Sequence, residues 1–201
     1  MMSPVPDDDL LARQAALQDE ARQILARLDL AGLVADVGPL LVTGSFVSGL
    51  MCWRELDVMV HAGGDFSPAD VMGLLARIVP RAGVIALDYR DERGPRCVTG
   101  QRRDERYHVT LTVEHAARWQ IDLTLWLHDL HRNVTLWHEE LRERITAEQR
   151  MTVLRIKDYW HRQPAYPDRV GGLDIYTAVL DDGIRTLDEF AAWLAQRGPE
   201  P

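Results

Sequence analysis

The sequence predicts an α+β fold: a mixed sheet of about five strands flanked by helices, with a C-terminal helical part. Three observations carry that expectation. Residues 55–61 and 118–127 alternate apolar and polar side chains, the period of a half-buried strand. Residues 7–36 and the stretch after 130 repeat apolar residues at helical spacing with charges between them. Strand signals end near residue 130, which places an α/β core in 1–130 and a helical subdomain in 131–201.

The elements follow in order. A helix is expected over 7–36, where Asp7, Asp8 and Asp9 favour the positive end of its dipole and Gly38-Pro39 stop the pattern. Residues 40–43 read as a short buried strand, and 45–52 as a turn or short helix after Gly44. In 55–61, Leu56, Val58 and Val60 point one way and Glu55, Asp57 and Met59 the other. Ser67-Pro68-Ala69-Asp70 opens a helix that runs to about Val79, ahead of Pro80 and Gly83. A strand is expected over 84–90 and another over 107–113, joined by an Arg-rich exposed connection. Strand 118–127 places Ile121, Leu123, Leu125 and Leu127 on one face and Asp122, Thr124 and Trp126 on the other. Helices are expected over 131–145, 146–162, 173–181 and 187–197; Thr146 with Gln149 caps the second, and Thr186 with Glu189 the last.

Composition limits the function classes. The 201 residues are 46% apolar and 27% charged, an ordinary globular mix. No apolar run approaches the roughly 20 residues of a membrane span, and MMSPVPDDDL does not read as a secretory signal. Two cysteines make neither a disulfide framework nor a thiolate zinc site, so a reducing cytoplasm is expected. Net charge is −8, and Lys157 is the only lysine, which argues against a binder of long nucleic acid and for a small substrate.

The chemistry concentrates in LLVTGSFVSGLMCWRELDVMVH, residues 40–61. Glu55 and Asp57, two apart on one strand, present their carboxylates on one face. Asp122 has the same setting on a later strand. If the strands pair, three like charges converge and raise one another's pKa. A divalent cation removes that conflict, and Mg²⁺ prefers such hard oxygen ligands. Gly44-Ser45 ends a strand at a tight turn, which exposes backbone N–H groups and a hydroxyl to an anion.

Gly44-Ser45, nine further residues, Glu55-Leu56-Asp57 and the later Asp122 resemble the DNA polymerase β-type nucleotidyltransferase superfamily, with a leaning toward its antibiotic-nucleotidyltransferase branch. The resemblance implies a nucleotidyltransferase-like sheet, with Gly44 and Ser45 on the triphosphate and Glu55, Asp57 and Asp122 on Mg²⁺. It implies transfer of a nucleoside monophosphate, AMP from ATP, to a hydroxyl of a small molecule. The chain departs from the family pattern at Glu55, where Asp is commoner, and at Ser48, where many members place Arg. The alternatives are a degenerate nucleotide or partner binder, and an antitoxin-type protein nucleotidyltransferase.

Other residues carry weaker signals. A basic residue in the helical part of such enzymes often reaches the triphosphate, which makes Lys157 a candidate, although its spacing alone reads as a solvated helix face. Glu139 and Glu140 are candidate bases with the same solvated alternative. His108, His115, His128, His131 and His138 show no zinc-ligand spacing and are expected in ordinary structural roles. The tail aromatics Trp137, Tyr159, Trp160, Tyr166 and Tyr176 are expected to pack a core.

Overall fold

A computed structural model describes residues 5–129, 133–167 and 169–197. The boundary expected at 130–131 and the candidate His131 lie outside the described residues.

Helix α1 (Asp7–Leu28) does not continue to residue 36. Asp29 takes φ 45° and ψ 42°, which ends α1, and its side chain then accepts the N–H of Gly32 as the cap of α2 (Leu30–Val34). Asp visits the left-handed region more readily than most residues because its short side chain bonds locally. The expected single helix is therefore two. Strand β1 (Leu41–Thr43) leads into α3 (Gly44–Ser48) and then β2 (Glu55–His61).

Helix α4 (Pro68–Ala82) has the Ser67–Asp70 capping box that the sequence announces, but it passes through Pro80 and ends at Gly83, φ 64°. Pro80 lies in the last turn, so only the end of the helix loses a backbone hydrogen bond, and Ile78 and Ala82 stay buried on either side of it. Strands β3 (Val84–Glu92), β4 (Arg106–His115) and β5 (Ala117–Trp126) follow. In the Arg-rich connection between β3 and β4, Arg93 and Arg96 both pair with Asp91.

The five strands form one mixed sheet in the order β1-β2-β5-β4-β3, with β2 parallel to β5 and the other pairs antiparallel. Leu56, Val58, Val60, Val109, Leu111, Ile121 and Leu123 cover one face and pack on Leu17, Ile24, Val71, Leu74 and Ile78 of α1 and α4. Alternation then turns Glu55, Asp57, Gln120, Asp122, Thr110 and Thr124 to the opposite face. Met59 shares that face but is buried at 2% exposure.

Helices α5 (Val134–Arg144), α6 (Ala147–Trp160), α7 (Gly172–Leu180) and α8 (Leu187–Arg197) build a second apolar cluster from Leu141, Val153, Leu154, Ile156, Ile175 and Phe190. Both expected capping boxes of this part are formed. Leu50 and Cys52, from the segment after α3, also belong to this cluster, so the segment before the acids is anchored in the helical part. Arg13 of α1 and Arg162 share the buried carboxylate of Asp158, and Arg155 pairs with Asp7. Trp160 packs edge-on to Phe190, as expected of a core aromatic, whereas Tyr159 is 49% exposed. Among the described residues no helix is long and apolar enough to cross a membrane.

Candidate functional site

The turn after β1 is fitted against the acids. Gly44 has φ 68°, a left-handed conformation that glycine adopts at no steric cost. A Cβ there would lie 1.8 Å from Asp57 Oδ2. Ser45, 7% exposed, donates its backbone N–H to the Asp57 carboxylate. Ser48, where the resemblance noted in the sequence would place Arg, is wholly buried and turns its hydroxyl back to Gly44 O at 3.3 Å.

Strand register sets the acid cluster. In the β2–β5 ladder Glu55 lies opposite Gln120 and Asp57 opposite Asp122. Thr110, opposite Asp122 on β4, donates its hydroxyl to Asp122 Oδ1 at 2.7 Å. Gln120 Nε2 reaches Asp122 Oδ2 at 3.1 Å, Asp122 Oδ1 at 3.3 Å and Glu55 Oε1 at 3.4 Å. His108 Nε2 stands 3.9 Å from Asp122 Oδ1.

Burial, and then the charges of Asp57 and Asp122, hold the Glu55 carboxyl well above the ordinary carboxylate range. Asp57 is pushed up to about 6, by burial first and Asp122 second, against the pull of Lys157 and of the Ser45 N–H. Both carboxyls therefore favour the neutral form more than free carboxyls do.

These acids floor a cleft of about 790 Å³ between the open sheet face and the C-terminal helices. Gly44, Ser45, Glu55, Asp57, Asp122 and Lys157, the six positions singled out in the sequence, all line it. Lys157 is not on a solvated helix face. It is 2% exposed, and Nζ donates to Leu50 O at 3.0 Å and to Tyr176 Oη at 3.3 Å. The packing of α6 between α1 and α7 turns it inward. Burial alone would lower its pKa, but Tyr176, Tyr166 and Cys52 more than offset this and keep the ammonium charged. Glu139 and Glu140 are exposed and do not line the cleft.

Trp137, Tyr166 and Tyr176 wall the cleft as well as packing it. His138 is 8% exposed, edge-on to Trp137, and its Nδ1 has no hydrogen-bond partner among the described residues. Burial first and Lys157 second push its pKa down to about 4, so it is neutral at pH 7. The sequence reading missed Gln120 and Thr110, and it expected His138 in an ordinary structural role. For Gln120 a signal was present: it lies two residues before Asp122 on an alternating strand and so shares its face. For His138 no such signal exists, because burial on α5 depends on the tertiary packing.

Among the described residues no group of three His, Cys, Asp or Glu is placed to hold a metal ion. Three acids share the face, but the Asp122 carboxylate is engaged by Thr110 and Gln120. The donor chemistry still fits a hard cation. Glu55 and Asp57 are oxygen donors whose charge is poorly compensated, and Mg²⁺ commonly takes only one or two protein carboxylates.

A pH dependence follows for the metal-free protein. Below pH 3.8 Asp57 is neutral both folded and unfolded. Between 3.8 and about 6 only the unfolded chain ionises, so this contribution lowers stability as pH rises. The full penalty is on the order of 2–3 kcal/mol. His138 acts in the opposite sense, since its depressed pKa makes stability rise with pH over 4–6.5. The difference between wild type and Asp57→Asn isolates the acid. Melting curves should show the variant gaining on the wild type from pH 4.5 to 7.5, and a constant difference would contradict the buried-acid account.

No protein-family model matches the sequence, and no curated protein is recognisably similar to it. Solved structures resemble it at low identity. CdnC of E. coli MS115-1 in complex with HORMA-deltaN is 19% identical with a TM-score of 0.48, over 90% of this chain and 61% of that one. CdnC with ATP is 17% identical with a TM-score of 0.48, over 96% of this chain and 67% of that one. The Cid1 poly(U) polymerase with Mg and 3′-dATP is 19% identical with a TM-score of 0.42, over 79% of this chain and 43% of that one. The chain thus spans 61–67% of the CdnC chains and under half of Cid1.

Proposed function

We propose that the chain is a Mg²⁺-dependent nucleotidyltransferase that moves AMP from ATP to a hydroxyl of a small molecule and releases pyrophosphate. One observation carries the reading: Asp57 stands opposite Asp122 in the ladder while the Gly44-Ser45 turn is packed on Asp57. An anion-binding turn and a set of acids needing a cation therefore share one end of the cleft.

Gly44 and Ser45 bind the phosphates, joined by the Lys157 ammonium from α6. Thr43 Oγ1, buried at the same turn without a hydrogen-bond partner among the described residues, is a further donor toward them. Glu55 and Asp57 hold the cation, with Asp122 as the third acid. When bound, Mg²⁺ neutralises the carboxylates and the phosphates and polarises the reacting phosphoryl group. The acceptor oxygen bonds to the α-phosphorus, the bond to the β-phosphate breaks, and Asp122 takes the hydroxyl proton. Thr110 keeps Asp122 aimed. A cleft of about 790 Å³ lies within the roughly 300–1,000 Å³ of small-molecule sites, which supports a small acceptor.

Pyrophosphate release from each of the four common triphosphates, with Mg²⁺ and a panel of sugar, aminoglycoside and protein hydroxyls, tests the reading. Turnover with ATP and a small hydroxyl compound is expected. Calorimetric binding of a triphosphate with no release on any acceptor would instead establish a binder without catalysis, and release only on protein would establish the antitoxin-type activity. Lys157→Met should weaken ATP binding at least tenfold, the scale of a lost charge-assisted hydrogen bond. Unchanged ATP affinity by calorimetry would remove Lys157 from the phosphate site.

A further inference from the structure

We infer that the Gln120 amide ties Glu55 to Asp122 when the metal is absent, as a latch that a metal ion must displace to gather the acids. The inference rests on the proposed metal site and goes beyond it. Gln120 Nε2 lies within 3.1–3.4 Å of three carboxylate oxygens, one from Glu55 and two from Asp122. A single NH₂ group has two hydrogens, so contact with three oxygens places the nitrogen between the acids rather than on either one. That is where positive potential is needed. The amide dipole supplies part of it, and weakly, because the contacts are long and the amide carries no net charge.

The position follows from the fold. Gln120 faces Glu55 in the parallel ladder and precedes Asp122 by two residues, so it shares a face with both acids. Its side chain is exposed, and no described group other than these acids holds it. It can therefore swing away at little cost. Thr110, by contrast, bonds Asp122 from the other side at 2.7 Å and stays in place whichever way Gln120 points. The same arrangement explains why three acids on one face are not a ready ligand set: the amide draws Asp122 and Glu55 onto itself.

The latch competes with the metal. Gln120→Ala removes the competitor and leaves the acids more repulsive, and both effects favour the cation. Mn²⁺ binding to the metal-free protein, read from the electron paramagnetic resonance signal of free Mn²⁺, should tighten about three- to tenfold in Gln120→Ala, the worth of a modest hydrogen bond. Gln120→Leu, which keeps the bulk but not the donor, should tighten it likewise. Unchanged or weaker Mn²⁺ binding in both variants, with melting curves showing intact folds, would overturn the latch while leaving the metal site standing. Absence of Mn²⁺ binding in the wild type would overturn the metal site and the latch together. If both variants unfold, Gln120 is structural and the latch is overturned.

Discussion

Replacing Asp57 with Asn is expected to abolish Mg²⁺-dependent transfer and leave a folded protein that is no less stable at pH 7.5. The loss should be about 10³-fold or more, beyond the roughly 10–100-fold cost of disturbing a metal's outer shell. Asp57 is the acid that joins the phosphate turn to the sheet face. It faces Asp122 across the ladder, accepts the Ser45 N–H and lies against the Gly44 backbone. Asn has nearly the same shape and can keep the Ser45 hydrogen bond through its carbonyl oxygen, but it lacks the charge. Burial already raises the Asp57 pKa, so neutralising the residue relieves a penalty instead of creating one. Loss of activity with retained melting temperature separates a chemical role from a structural one. A variant with wild-type turnover would remove Asp57 from the mechanism.

Gly44→Ala is expected to have the second large effect, by another route. Its Cβ would lie 1.8 Å from Asp57 Oδ2, far inside contact distance, on a backbone with φ 68°. The left-handed conformation alone costs an alanine about 1–2 kcal/mol. The overlap must then be relieved by moving the acid or the turn, so triphosphate and metal affinity should fall together, about 100-fold in turnover by the scale of a misplaced reacting group. Gly73→Ala is the matched control. Gly73 sits inside α4 with nothing within 4 Å of an added Cβ, so the substitution should raise stability by about 0.5–1 kcal/mol and leave activity alone. Calorimetry with ATP and Mg²⁺, beside melting curves, reads both variants. Normal ATP affinity in Gly44→Ala would show that the turn does not bind phosphate.

The sequence made the sheet face legible because the side-chain period in a strand is two. Once 55–61 and 118–127 are recognised as strands, Glu55, Asp57 and Asp122 must fall on polar faces, and parallel pairing brings them together. Helix caps were readable for a similar local reason: Ser67–Asp70 and Thr146–Gln149 satisfy N–H groups within three residues. The environment of Lys157 was not readable. Its helix MTVLRIKDYW has apolar residues all around, so which face is inward depends on how α1 and α7 pack against α6. The break at Asp29 was hidden because DLAGLV continues the helical pattern, and the break itself is one residue's backbone torsion. The metal site lay between these cases. Pattern predicts three acids on one face, but not that Gln120 and Thr110 would hold one of them.

In the proposed function, one end of the cleft holds a triphosphate and a divalent cation between the Gly44-Ser45 turn and the acids of β2 and β5. Co-crystallisation with a non-hydrolysable ATP analogue and Mn²⁺ tests it most directly, because Mn²⁺ is located by its anomalous signal. The expected result is an anomalous peak on Glu55 and Asp57, with triphosphate density against Gly44, Ser45 and Lys157. A second cavity of about 950 Å³, lined by Tyr159, Trp160, Arg169 and Leu187, lies among the C-terminal helices. Triphosphate density there, or at the acids with no anomalous peak, would contradict the account.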